Sequence, residues 1–106
     1  MRIALAILVV ALCSGGAAPK RKPTMRDFFV YACVREYAKA HNFPEYDSSV
    51  GYAVEFSDAD GETLDRVYRA ATRFAATLPA ANLKDPEHGG VAVTAMCLEE
   101  SRRASP

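Results

Sequence analysis

The sequence predicts a small all-α protein, a bundle of about four helices cross-linked by one disulfide. Three observations carry this prediction. Apolar residues recur at helical spacing in four separate stretches, no stretch alternates apolar and polar residues as a strand does, and two cysteines remain once an export signal is removed. The chain has 106 residues, about half of them hydrophobic, which is the composition of one small folded domain.

Residues 1–17 have the pattern of a secretory signal peptide, with a basic start, an apolar middle and a small-residue end. We expect cleavage after Ala17. The apolar run over residues 3–12 is too short to cross a bilayer as a permanent helix, so no stable membrane insertion is expected. Cys13 follows the bulky Leu12, whereas a lipid-modification site needs a small residue there. This cysteine is therefore expected to be lost with the signal.

Export leaves Cys33 and Cys97 as an even pair, and a disulfide is the simplest fate for two cysteines in an exported protein. The bond would close a loop of about 65 residues and join the middle of the first helix to the middle of the last. In the chain-entropy account such a closure contributes about 4 kcal/mol. This is comparable to the whole stability expected of so small a core.

Charge divides the chain into a basic leader and an acidic body. The whole sequence carries 13 basic and 13 acidic residues. It therefore lacks the excess of positive charge that is typical of nucleic-acid-binding domains. We expect residues 18–25 to be a flexible leader and residues 26–104 to be the folded domain. From Asp27 onward there are 8 basic and 13 acidic residues. A negative body favours a basic partner through electrostatic steering. The basic residues near the start of the mature chain are Lys20, Arg21, Lys22 and Arg26.

The first two predicted helices cover residues 25–42 and 44–56. Thr24 is the expected N-cap of the first helix, and Asn42 its expected end. In the second, Gly51 weakens the isolated helix and suits a close approach to a neighbouring helix. The apolar face of the first helix consists of Phe29, Val30, Cys33, Val34 and Tyr37.

The third helix has the clearest pattern, and a fourth follows it. Ser57, with Asp60 three residues later, is expected to cap the third helix, and Pro79 to end it. Its apolar stripe consists of Leu64, Val67, Tyr68, Ala71, Phe74, Ala75 and Leu78, and its wet side carries Arg66, Arg69 and Arg73. The last helix, over residues 91–103, carries as apolar residues Val93, Met96 and Cys97.

A thiol enzyme would need a free cysteine beside a histidine, here His41 or His88. In an exported protein, both cysteines are expected to form a disulfide and so to be unavailable for catalysis. His41 lies at the predicted end of the first helix, where a partial positive charge is favourable next to the negative end of the helix dipole. We therefore expect no catalytic residue.

Two acidic segments are weak candidates for a metal site. The run that contains Asp58, Asp60, Gly61 and Glu62 resembles a calcium loop, but aligning its glycine places Phe56 and Val67 at ligand positions. The trio Asp85, Glu87 and His88 offers zinc ligands that lie too close together in sequence for a good tetrahedron. We expect no metal and no cofactor.

A long irregular segment, residues 79–90, separates the last two predicted helices. It is either a solvated connector or a recognition loop on a rigid helical support. As a recognition loop it would offer polar groups and one apolar tip. The candidate contact residues are Asn82, Leu83, Lys84, Asp85, Glu87 and His88.

Several short motifs give the mature chain a resemblance to a known family. They are Asp27-Phe28 and Cys33-Val34 in the first helix, residues 48–52 with Gly51-Tyr52 followed by Glu55, and the stretch from Met96 to Glu99. In these features the chain resembles the type VI secretion amidase immunity proteins. Residues 101–104 depart from the acidic ending of that family.

The resemblance implies a periplasmic, mostly helical homodimer with a disulfide, which protects its producer by binding a papain-like peptidoglycan amidase. In that family a protruding loop enters the catalytic groove of the amidase, and no catalytic residue is carried over. We assign that role to residues 79–90 from their length and polarity. A homodimer is also expected because so small a chain with so many apolar residues leaves apolar surface uncovered. The alternative is a periplasmic structural or chaperone-like helical protein.

Overall fold

The computed structural model describes residues 20–44, 47–81 and 90–104. These residues form four α-helices and no strand, which confirms the predicted all-α class. The segment predicted to be a signal peptide, residues 1–17 with Cys13, lies outside the described residues. The helices are α1 (Met25–Ala40), α2 (Ser49–Phe56), α3 (Gly61–Ala75) and α4 (Val93–Ala104).

Helix α1 begins where the sequence predicts it. The Thr24 hydroxyl accepts a hydrogen bond from the backbone N–H of Asp27 at 3.1 Å, and the Asp27 carboxylate accepts one from the backbone N–H of Thr24 at 2.9 Å. This reciprocal pair is a capping box, which satisfies two N–H groups at the helix start. The helix ends at Ala40, slightly before the predicted end, because Asn42 adopts a left-handed φ of 60°.

Helix α1 is the centre of the bundle and packs against the other three helices. Its predicted apolar face is confirmed as part of the core, with Val34 half-buried. Phe28 and Ala32 are also buried, outside that face. A single stripe could not include them, because α1 has neighbours on more than one side. The buried residues of α1 are Phe28, Phe29, Val30, Ala32, Cys33 and Tyr37.

The predicted disulfide is present between Cys33 and Cys97. Their Cα atoms lie 6.0 Å apart, and both residues are fully buried. The bond joins the middle of α1 to α4 across 64 residues of sequence, and it lies within the main core cluster.

Helix α2 differs from the prediction in its start and in the role of Gly51. It begins at Ser49, not near residue 44, because the Asp47 carboxylate accepts hydrogen bonds from both the backbone N–H and the hydroxyl of Ser49, a local turn that precedes the helix. Gly51 is exposed, and a Cβ built on it meets nothing within 4 Å. The expected close helix approach is made instead by Ala53, which is fully buried.

Helix α3 keeps its predicted stripe as far as Ala75, where it ends before the predicted Pro79, and it has a different N-cap. Asp60 is the cap: its carboxylate accepts a 2.7 Å hydrogen bond from the backbone N–H of Thr63, whereas Ser57 ends α2. Within the stripe Ala71 and Ala75 are buried and the larger apolar residues are half-buried. The three arginines of the wet side, Arg66, Arg69 and Arg73, are exposed as expected.

Helix α4 faces the core with Cys97 and Ser101, which lie one turn apart and are buried. The Ser101 hydroxyl donates a 2.6 Å hydrogen bond to the carbonyl oxygen of Leu98, so its burial leaves no free donor. Met96 is 37% exposed and lines a shallow groove with Phe74 between α3 and α4.

Candidate functional site

The six candidate contact residues all fall within residues 82–89, which lie outside the described residues. They are Asn82, Leu83, Lys84, Asp85, Glu87 and His88. The described residues on either side, up to Ala81 and from Gly90, show how the flanks of this segment are attached to the helices.

The flank that follows α3 is attached to α1 by a hydrogen bond. The hydroxyl of the buried Tyr37 donates to the carbonyl oxygen of Pro79 at 2.7 Å. The Tyr37 ring packs near two other rings, with its centroid 4.2 Å from that of His41 and 6.4 Å from that of Phe43. These contacts fix the position from which the hydroxyl reaches Pro79.

The other flank is attached to α1 by a covalent bond. Residues 90–92 lead into α4, and Cys97 in the second turn of that helix is bonded to Cys33. Cys33 lies four residues before Tyr37, and residues at that spacing share one face of a helix. One face of α1 therefore holds the chain on both sides of residues 82–89.

The two flanks meet at one apolar groove of about 240 Å³. Ala81 precedes residues 82–89, Val91 follows soon after them, and both line this groove. The two ends of the segment are thus brought to a common base on the helical body. The remaining lining residues are Val34, Tyr37, Ala38, Phe43 and Val93.

Neither Cys33 nor Cys97 can act as the nucleophile of a thiol enzyme in this state, since each sulfur is bonded to the other and fully buried. His41 packs its ring against Tyr37 at the end of α1. The other histidine considered for such a pair, His88, lies outside the described residues.

The acidic segment between α2 and α3 has structural roles. Asp58 forms a 2.9 Å ion pair with Lys22, which connects the basic leader to the body. The N–H of Thr63 donates to the carboxylate of Asp60, and this hydrogen bond lowers the Asp60 pKa below its ordinary value of 3.8. No cluster of three or more His, Cys, Asp and Glu side chains suited to a metal occurs in the described part of the chain. The trio considered and set aside for zinc, Asp85, Glu87 and His88, falls within residues 82–89, outside the described residues.

One surface feature was not anticipated from the sequence. Tyr52 and Val54 of α2 are 39% and 48% exposed, whereas the sequence predicted only a close approach of this helix to a neighbour at Gly51. The spacing of Val50 and Ala53 was the available signal. If these two residues face the core, the helical repeat turns Gly51, Tyr52 and Glu55 outward.

None of the helices in the described residues is both long enough and apolar enough to span a membrane. Comparison with known proteins gave no match to a family model, to a curated protein or to a solved structure.

Proposed function

We propose that this protein is a periplasmic immunity protein that binds and inhibits a papain-like peptidoglycan amidase delivered by type VI secretion, and thereby protects the producing cell. The observation that carries the proposal is the attachment of both flanks of residues 82–89 to one face of α1, through Tyr37 and through the disulfide of Cys33. The resemblance of the mature chain to that family supplies the identity of the partner.

An inhibitor must present a convex element to the concave active site of an enzyme. A chain segment that enters such a groove loses conformational freedom, and fixed ends reduce that loss before binding begins. In this proposal Asn82, Lys84, Asp85, Glu87 and His88 supply hydrogen bonds and charge to the amidase groove, and Leu83 supplies an apolar contact. The fixed flanks make this segment a better inhibitory element than a free connector of the same length.

The disulfide supports the proposed compartment. Disulfides persist in oxidising compartments such as the bacterial periplasm and are rare in the cytosol. The buried bond between Cys33 and Cys97 is therefore consistent with a protein that functions in the periplasm after export.

The charge of the body supports a basic partner. Acidic residues exceed basic ones from Asp27 onward, and a negative surface accelerates encounter with a positively charged protein. The association rate with the amidase should therefore fall as salt is raised, while the dissociation rate changes little.

We propose in addition that the mature protein is a homodimer. Exposed large apolar side chains occur on α2 and α4, at Tyr52, Val54, Met96 and Leu98. Light scattering at micromolar concentration should report about twice the mass of the mature chain. A monomer at that concentration would contradict the proposed dimer and would leave the proposed inhibitory function unaffected.

The inhibitory function is tested with the purified mature chain and a set of purified papain-like peptidoglycan amidases, by measuring the release of soluble fragments from isolated peptidoglycan. We expect stoichiometric inhibition of one basic amidase. A serine peptidoglycan hydrolase serves as the unrelated control and should be unaffected. If no amidase is inhibited and the protein instead suppresses the aggregation of reduced insulin, the chaperone-like alternative replaces the proposal.

A further inference from the structure

Helix α4 meets the rest of the protein through a narrow buried face. Of the side chains described in α4, only Cys97 and Ser101 are buried. Val93 is half-buried, and the larger apolar residues Met96 and Leu98 are exposed. The helix packs mainly against α1 and only slightly against α3. Its attachment therefore depends on few side chains.

The polar contacts that the structure shows for the side chains of α4 lie within the helix itself. The Ser101 hydroxyl donates to the carbonyl oxygen of Leu98. Arg103 forms an ion pair with Glu100 at 2.7 Å. Contacts inside one helix do not attach it to a neighbour. What joins α4 to α1 is the disulfide of Cys97 and the apolar packing around it.

The other three helices pack together through contacts that do not involve α4. The centroid of the Phe28 ring lies 6.0 Å from that of Tyr68 in α3. The centroids of Phe29 and Phe74 lie 6.3 Å apart. The second core cluster joins α1, α2 and α3 and contains no residue of α4 among the described residues. Breaking the disulfide leaves all these contacts in place.

A helix as short as α4, with 12 residues, has little stability of its own. Isolated helices of about 12–15 residues or fewer are marginal in water, because the first turn is costly to form. Once the sulfurs are no longer bonded, α4 keeps the apolar packing of Cys97 and Val93 as its contact with the core. So narrow an apolar face offsets the conformational entropy of an ordered helix poorly.

We propose that the bond between Cys33 and Cys97 is a redox-sensitive attachment of α4: the helix is docked on α1 while the bond is intact and undocks when it is reduced, while α1, α2 and α3 stay folded together. A dithiol reductant supplies the two electrons and two protons that convert the S–S bond into two thiols, and it becomes a disulfide itself. Because both sulfurs are fully buried, the reductant reaches them only when α4 opens locally. This inference does not depend on the proposed function.

Hydrogen–deuterium exchange of the mature protein, followed by mass spectrometry, tests the proposal. Oxidised protein is compared with protein incubated in dithiothreitol until both cysteines titrate as thiols. In the reduced protein, we expect the amides of residues 97–104 to exchange within about tenfold of the rate of an unstructured peptide. The amides of residues 65–75 in α3 should remain at least about a hundredfold slower than that rate. In the oxidised protein both segments should be protected.

Two variants separate loss of the bond from other effects. The double variant Cys33→Ala with Cys97→Ala should show the exchange pattern of the reduced parent, and dithiothreitol should cause no further change. Ser101→Ala is the matched control, because the hydroxyl that it removes bonds within α4. Its α4 amides should be protected when the protein is oxidised and should lose that protection on reduction.

The inference is overturned if residues 97–104 of the reduced parent stay protected by more than about tenfold, since packing alone would then hold α4. It is also overturned if residues 65–75 lose their protection together with α4, since the bond would then support the whole fold. Loss of α4 protection in oxidised Ser101→Ala would overturn it as well, because the buried face would then matter more than the bond.

Discussion

The hydroxyl of Tyr37 donates a 2.7 Å hydrogen bond to the carbonyl oxygen of Pro79, 42 residues later in the chain. One turn before Tyr37 on the same helix face, Cys33 is bonded to Cys97. Helix α1 thus holds the chain shortly before residues 82–89 and again shortly after them. This arrangement is the structural basis of the proposed inhibitory function, and it can be tested one attachment at a time.

Replacing Tyr37 by phenylalanine should cost about 1 kcal/mol of unfolding free energy, because one hydrogen bond is lost while the buried ring is kept. Urea denaturation measures the change. Amide exchange in residues 76–81 should accelerate, since their attachment to α1 is gone. Tyr52→Phe is the matched control on the exposed surface and should change the free energy by less than about 0.5 kcal/mol. Equal effects of the two variants would mean that the Pro79 hydrogen bond contributes nothing.

Replacing both Cys33 and Cys97 by alanine should lower the unfolding free energy by about 4 kcal/mol, because the unfolded chain regains the freedom of a long closed loop. Urea denaturation of the exported protein, with and without reductant, measures this loss. Reductant should destabilise the parent and leave the double variant unchanged. A parent protein that keeps its stability after complete reduction would contradict the role given to the disulfide.

Gly51→Ala should raise the unfolding free energy by about 1 kcal/mol, because alanine favours a helix and the added methyl group meets nothing within 4 Å. Gly61→Ala is a useful comparison: its Cβ is equally free of contacts, but it lies at the first position of α3 and should gain less. A loss of stability in Gly51→Ala would show that this position is crowded in solution.

Asp60→Ala should destabilise the protein at pH 7, and its effect should shrink at low pH. The hydrogen bond from Thr63 holds the Asp60 pKa below its ordinary value of 3.8. For a lowered pKa, the stabilising contribution is present above the unfolded value and disappears as the pH falls through the folded value. Thermal unfolding from pH 7 down to about pH 2 measures this.

Asp60→Asn serves as the control for this profile, because asparagine also caps a helix but does not titrate. It should remain close to the parent at pH 7. A destabilisation by Asp60→Ala that stays constant across the whole pH range would rule out the carboxylate as the stabilising group.

The sequence was sufficient for features that depend on local pattern. Thr24 as the N-cap of α1, the apolar stripe of α3 up to Ala75 and the pairing of Cys33 with Cys97 were predicted and are present. Each rests on short-range spacing or on the parity of cysteines after export. Such signals do not depend on how the helices are arranged in space.

Features that depend on the neighbours of a helix were not predictable. Phe28 is buried because α1 lies between other helices, so one apolar stripe underestimates its core surface. Gly51 was expected inside a helix contact and faces outward, because Ala53 makes that contact. The attachment of Pro79 by Tyr37 joins residues far apart in sequence, and no local pattern contains it.

The inhibitory role proposed for residues 82–89 is tested most directly by replacing residues 82–88 with a Gly and Ser linker of equal length. The contacts of Tyr37 and of Cys33 lie outside the replaced segment, so the thermal unfolding midpoint should stay within a few degrees of the parent. Inhibition of the cognate amidase is then titrated for both proteins. We expect at least a hundredfold loss of potency for the linker protein. Unchanged potency would contradict it, because the inhibitory surface would then lie on the helices.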